Sequence, residues 1–105
     1  MSTSNNRQYP RFDVKASADM KDDDKYIFHE IVNLSLGGMC IRVPEPAVNG
    51  AKVELLLNLP NCEKAMPLIG EVVWSSPAPH PEMGVRFMEL GKDEYELLHD
   101  YLYKE

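Results

Sequence analysis

The sequence predicts a mainly β domain carrying one C-terminal helix. Apolar and polar residues alternate with a period of two over residues 52–59, and five further short apolar runs are divided by turn-forming residues with no helical pattern between them. Only after Asp93 does the apolar spacing change to three and four. A chain of 105 residues suits a single compact domain, and its 44% hydrophobic and 27% charged residues exclude a disordered or fibrous protein.

Residues 1–10 are polar and aperiodic, so they are predicted to be a flexible tail, with residues 11–105 forming the domain. Residues 12–16 are predicted as a weak first strand, and residues 26–32 and 39–43 as two more, rich in β-branched and aromatic side chains. Between the first two, residues 19–25 carry Asp22, Asp23 and Asp24 among lysines, which predicts a solvated hairpin loop. The EF-hand spacing with its central glycine is missing there, so no metal site is assigned. Asn49-Gly50 tolerates positive φ and marks the turn into the fourth strand, whose inward set is Val53, Leu55, Leu57 and Leu59. Residues 68–74 and 83–88 complete six strands, with Val72 and Trp74, then Met83, Val85 and Phe87, predicted inward. Pro77, Pro79 and Pro81 stiffen the link between these two strands. Six strands without helices between them indicate an antiparallel sheet, a sandwich or a small barrel. In the last segment Tyr95, Leu98 and Leu102, widened by Leu97 and Tyr101, form the apolar stripe of a helix, and Asp93 and Glu96 have capping-box spacing.

The formal charge of −6 argues against DNA, RNA or anionic membrane as a partner, because the chain repels polyanions at long range. No apolar run approaches the roughly 18 residues of a membrane span, and no signal-peptide core follows the opening residues, so a cytoplasmic protein is expected. Cys40 and Cys62 lack the CxxC or Cys/His spacing of a zinc site. His29, His80 and His99 fall in a strand, a proline loop and a helix, and no nucleophile elbow, HExxH, P-loop or dinucleotide glycine pattern occurs. Neither catalytic residues nor a cofactor is assigned.

Two segments carry recognition chemistry. In Arg7-Gln8-Tyr9-Pro10-Arg11, Pro10 disfavours a helix, so both arginines sit on an extended or turning chain. A guanidinium fork can accept two phosphate oxygens, read the O6/N7 edge of guanine or stack on a base; the competing reading is two solubilising surface arginines. In Asn33-Leu34-Ser35-Leu36-Gly37-Gly38, an extended chain turns Asn33 and Ser35 to one face and Leu34 to the other. The glycines permit positive φ and close approach of a ligand, whereas the competing reading is a hairpin whose Asn and Ser bond their own turn. Residues 1–18 carry a net +2 and the remainder −8, so the basic segment is the one that holds the arginines.

Arg-x-x-x-Arg followed after a hairpin by Asn-x-Ser-x-x-Gly resembles the PilZ domain family, in which these motifs bind the bacterial second messenger cyclic di-GMP. Gly70-Glu71-Val72-Val73-Trp74 and Gly84-Val85-Arg86-Phe87 resemble the family's later strands. The resemblance implies a six-stranded antiparallel PilZ-like β-barrel with one C-terminal helix and a non-enzymatic receptor or adaptor in motility, biofilm or exopolysaccharide control, acting through an effector protein. It implies that Arg7 and Arg11 clamp phosphates and guanines, that Asn33 hydrogen-bonds a guanine, and that Ser35 and Gly38 complete the floor, with Gly37 beside them. Trp74 would be either an apolar wall of the site or part of the core. Many members carry a further basic residue beside the first arginine, where this chain has Asn5 and Asn6. The rival readings are a PilZ-type interaction module that binds no nucleotide and a barrel for single-stranded nucleic acid. The second lacks its basic, aromatic-interleaved groove.

Overall fold

The computed structural model describes residues 9–60, 62–77 and 79–103. Six antiparallel strands, β1 (Ser17–Asp22), β2 (Lys25–Leu34), β3 (Gly38–Arg42), β4 (Lys52–Asn58), β5 (Met66–Ser76) and β6 (Glu82–Met88), precede helix α1 (Lys92–Tyr103). They close into a barrel in the order β1-β2-β3-β6-β5-β4, and β1 pairs with β4 from Ser17↔Asn58 to Met20↔Leu55. Closure gives each strand a neighbour on both sides, which suits a small β domain otherwise exposed to edge-to-edge association.

The barrel is filled by the alternating residues that strand geometry turns inward. Ala18, Ile31, Met39, Ile41, Leu55, Leu57, Val72, Met83 and Val85 are all buried in one cluster. From the helix, Leu98 and Leu102 join that cluster and Tyr101 packs against it, while Leu97 is exposed. The apolar stripe is therefore narrower than its sequence suggests. The Tyr95 N–H donates to the Gly91 carbonyl at 2.8 Å, so Gly91 is the N-cap rather than Asp93, which falls in the first turn with Glu94. Acidic residues there complement the positive end of the helix dipole.

The first strand also differs from expectation. Residues 12–16 form no strand; only Phe12 makes a bridge, to Leu34, and β1 begins at Ser17. The aspartate run is shorter as a loop than predicted, because Asp22 pairs with Lys25 and leaves a two-residue turn. Asp23 takes a φ of 57° there, a conformation aspartate tolerates better than most residues. No helix among the described residues is long and apolar enough to cross a membrane.

Candidate functional site

Two β-bulges shape one outer face of the barrel. In β2 the register shifts between Ile31 and Asn33, so Ile31 and Leu34 are both buried although three residues apart. The extra residue turns Asn33 outward, opposite Cys40. In β5 the register shifts between Val72 and Trp74, so Val72 stays inside opposite Val85 while Trp74 comes to lie opposite Gly84. Asn33, Cys40, Gly84 and Trp74 thus form one transverse row over β2, β3, β6 and β5. The predicted inward position of Trp74 is corrected here: the bulge turns it to the outer face. Its indole rests on Gly84, where an added Cβ would lie 2.0 Å from Nε1.

The N-terminal segment is tied across the end of this row. Phe12 and Leu34 exchange two backbone hydrogen bonds of 2.9 Å, and the Phe12 ring packs edge-on against Tyr103 of α1 at 5.2 Å. Directly before this anchor, Arg11 donates from Nη1 to Asn33 Oδ1 at 3.0 Å. The Tyr9 ring lies over Gly37, close enough that a Cβ there would meet it at 2.9 Å. The two segments singled out in the sequence are therefore in contact.

The turn between β2 and β3 uses its own serine. Ser35 Oγ accepts from the Gly37 and Gly38 N–H groups, both at 3.1 Å, and donates to the Gly38 carbonyl at 3.2 Å. The hydroxyl is spent on closing the turn, so Ser35 shapes the floor while holding these bonds. Gly38 faces β6, with a hypothetical Cβ only 2.2 Å from the Val85 carbonyl oxygen. Its lack of a side chain lets β3 and β6 approach, and neither it nor Gly37 takes a positive φ.

A cavity of about 580 Å³ opens over this surface, within the range that holds small ligands. Its walls include the aromatic rings of Tyr9, Trp74 and Tyr95, the turn Ser35–Gly38, and two cations, Arg11 and Arg86. No described carboxylate lines it, although Glu71 lies just outside, ion-paired with Arg86 across β5 and β6. Aromatic faces, guanidinium forks and no lining acid suit a planar, anionic ligand. Burial, reinforced by Glu82, raises the Cys40 thiol to about 11, and its Sγ donates to Glu82 Oε1 at 3.6 Å. A thiol so protonated is a poor nucleophile at neutral pH. His29 is buried away from the cavity, and burial lowers its pKa despite the opposing backbone bond to Arg42 and the charge of Asp19. Among the described residues no group of three or more His, Cys, Asp or Glu is placed to hold a metal ion.

The sequence pattern of the PilZ domain matches residues 5–104. The chain belongs to the PilZ domain family. Among solved structures, it is similar to the Bacillus subtilis inhibitor of motility MotI/DgrA, at 20% identity and a TM-score of 0.77, covering 90% of this chain and 48% of that one. YcgR from Escherichia coli in complex with c-di-GMP aligns at 18% identity and a TM-score of 0.77, over 92% of this chain and 44% of that one. The MrkH–c-di-GMP complex of Klebsiella pneumoniae aligns at 14% identity and a TM-score of 0.71, over 91% and 50%. The chain spans about half the length of these three proteins. No curated protein matches it.

Within this PilZ domain, Arg11, Ser35, Gly37, Gly38 and Trp74 line the cavity, and Asn33 stands beside it as the acceptor for Arg11. Arg7 lies outside the described residues. Sequence reasoning missed Tyr9, Gly84, Arg86 and Tyr95. Alternation in Gly84-Val85-Arg86-Phe87, which turns Arg86 outward once Val85 and Phe87 point inward, was the available signal, whereas the pairing of Gly84 with Trp74 depends on the β5–β6 register and had none.

Proposed function

We propose that this PilZ domain is a non-enzymatic receptor for cyclic di-GMP. The observation that carries the reading is the Arg11–Asn33 hydrogen bond at the rim of an aromatic-walled cavity, which joins the two recognition segments. Solved neighbours in complex with c-di-GMP support the same ligand. In this reading a guanine stacks on Trp74, Arg11 turns its fork to a phosphate or a guanine edge, and Asn33 hydrogen-bonds a guanine. Ser35, Gly37 and Gly38 form the floor, and Arg7 closes over the ligand from a tail of residues 1–10 on a domain of residues 11–105.

Ordering of this arginine segment over the barrel, Arg7 and the residues ahead of the seated Tyr9 above all, is the signal, because it changes the surface that a partner protein meets. The protein works in the cytoplasm on an effector of motility, biofilm or exopolysaccharide production. An interaction module that binds no nucleotide is the alternative, and one measurement separates them. Calorimetric titration with cyclic di-GMP, cyclic di-AMP and GTP is expected to give heat with the first at micromolar protein. Its absence there would leave the interaction module.

A further inference from the structure

We propose that Arg86 forms a second phosphate subsite in the cavity and that Glu71 holds it there as a counterion until ligand arrives; the inference rests on the cyclic di-GMP reading. The position follows from the barrel register. On β6, Arg86 lies between Gly38 of β3 and Glu71 of β5. Gly38 has no side chain to screen it from the turn, and Arg86 lines the cavity with its side chain 56% exposed.

Spacing separates this cation from the first. Asn33, which holds Arg11, is two strands away from Arg86 in the sheet and one two-residue step along it. Strand geometry puts these offsets at about 10 Å and 7 Å, so one guanidinium stands at each side of the cavity floor. A cyclic dinucleotide carries two phosphodiester charges, and Arg11 and Arg86 are the described cations that line the space it would fill. A guanidinium fork binds phosphate with the geometry it uses for carboxylate, so ligand can replace Glu71 without a new rotamer set. The pair is partly exposed and correspondingly weak. Glu71 thus keeps the arginine oriented while taxing affinity only slightly.

The test is a calorimetric double-mutant cycle on the full chain with cyclic di-GMP, using wild type, Arg86→Gln, Glu71→Gln and the double variant. Arg86→Gln is expected to weaken binding about tenfold. Glu71→Gln is expected to tighten it by about two- to fivefold, the worth of an exposed pair. In the double variant the Glu71 change should have no further effect, because Glu71 acts through Arg86. Affinity within twofold of wild type for Arg86→Gln would overturn the subsite. So would an equal gain from Glu71→Gln in both backgrounds, which would mean that Glu71 acts through its field alone. Should Arg86→Gln melt early, Arg86→Lys, which keeps the charge but not the fork, is read in its place and must also weaken binding. A wild-type chain that gives no heat removes the receptor reading and the subsite with it, whereas wild-type binding with unchanged arginine variants removes the subsite alone.

Discussion

Replacing Gly84 by alanine tests the stacking platform without removing a polar group. The new Cβ would stand 2.0 Å from Trp74 Nε1 and 2.5 Å from Cε2. To reach an ordinary contact near 3.4 Å the indole must rise by about 1.4 Å, and it can do so because Trp74 is only half-buried. Overpacking of this kind costs about 1–3 kcal/mol, and an escape route toward solvent places the cost near the lower end. For a domain of this size that is a fall in Tm of about 4–8 °C. Binding should suffer more than folding, because base–aromatic stacking is worth about 1–3 kcal/mol, or roughly five- to a hundredfold in affinity. Trp74 is the only tryptophan, so its emission reports the ring directly, while calorimetry with cyclic di-GMP reports the affinity. A shifted emission maximum with affinity within twofold of wild type would refute the reasoning, since the ring would have moved without consequence for the purine.

Gly38→Ala meets backbone rather than a movable ring, with the Val85 carbonyl 2.2 Å from the new Cβ, so β3 and β6 must separate. The expected destabilisation is at least about 2 kcal/mol, read from urea midpoints, and a midpoint like that of wild type would contradict the packing role. His29 makes stability depend on pH. Its pKa is lowered below 6.5 in the folded state by burial, so the unfolded chain binds the proton first. Stability from the neutral imidazole is full above pH 6.5 and falls as pH drops toward the lowered folded value; in His29→Leu that part of the slope should vanish from urea midpoints measured across this window. Cys40, buried and raised to about 11, should resist alkylation at neutral pH in the native state and react only with denaturant present, as mass spectrometry of the labelled peptides would record.

How much of this was legible depends on the range of the interactions involved. Alternation along one strand is local, so β4, β6 and the buried sets Leu55/Leu57 and Met83/Val85/Phe87 could be read directly. Phe12, Val14 and Ala16 alternate as well, yet they pack against the barrel without joining the ladder beyond the Phe12 bridge. The actual β1 has only Ala18 and Met20 on its inner side, a weak signal masked by the charges of Asp19, Lys21 and Asp22. Bulges depend on register between strands, so nothing local announced that Trp74 turns outward. The motif residues came together as Arg11 and Asn33 because a hairpin returns β2 to the N-terminal segment. The reasons for Gly37, Gly38 and Gly84 lie in Tyr9, Val85 and Trp74, each remote in sequence. Arg86 looked like any outward strand residue until the cavity beside it was visible.

The most direct test of the central claim is a set of intermolecular nuclear Overhauser effects from the guanine H8 protons of bound cyclic di-GMP. The account predicts cross-peaks to the Trp74 indole and to the Tyr9 ring beside Gly37, with the Arg11 side chain perturbed in the same complex. Cross-peaks to Phe28 or Leu56 on the outer face of β2 and β4, with Trp74 and Arg11 unchanged, would contradict it.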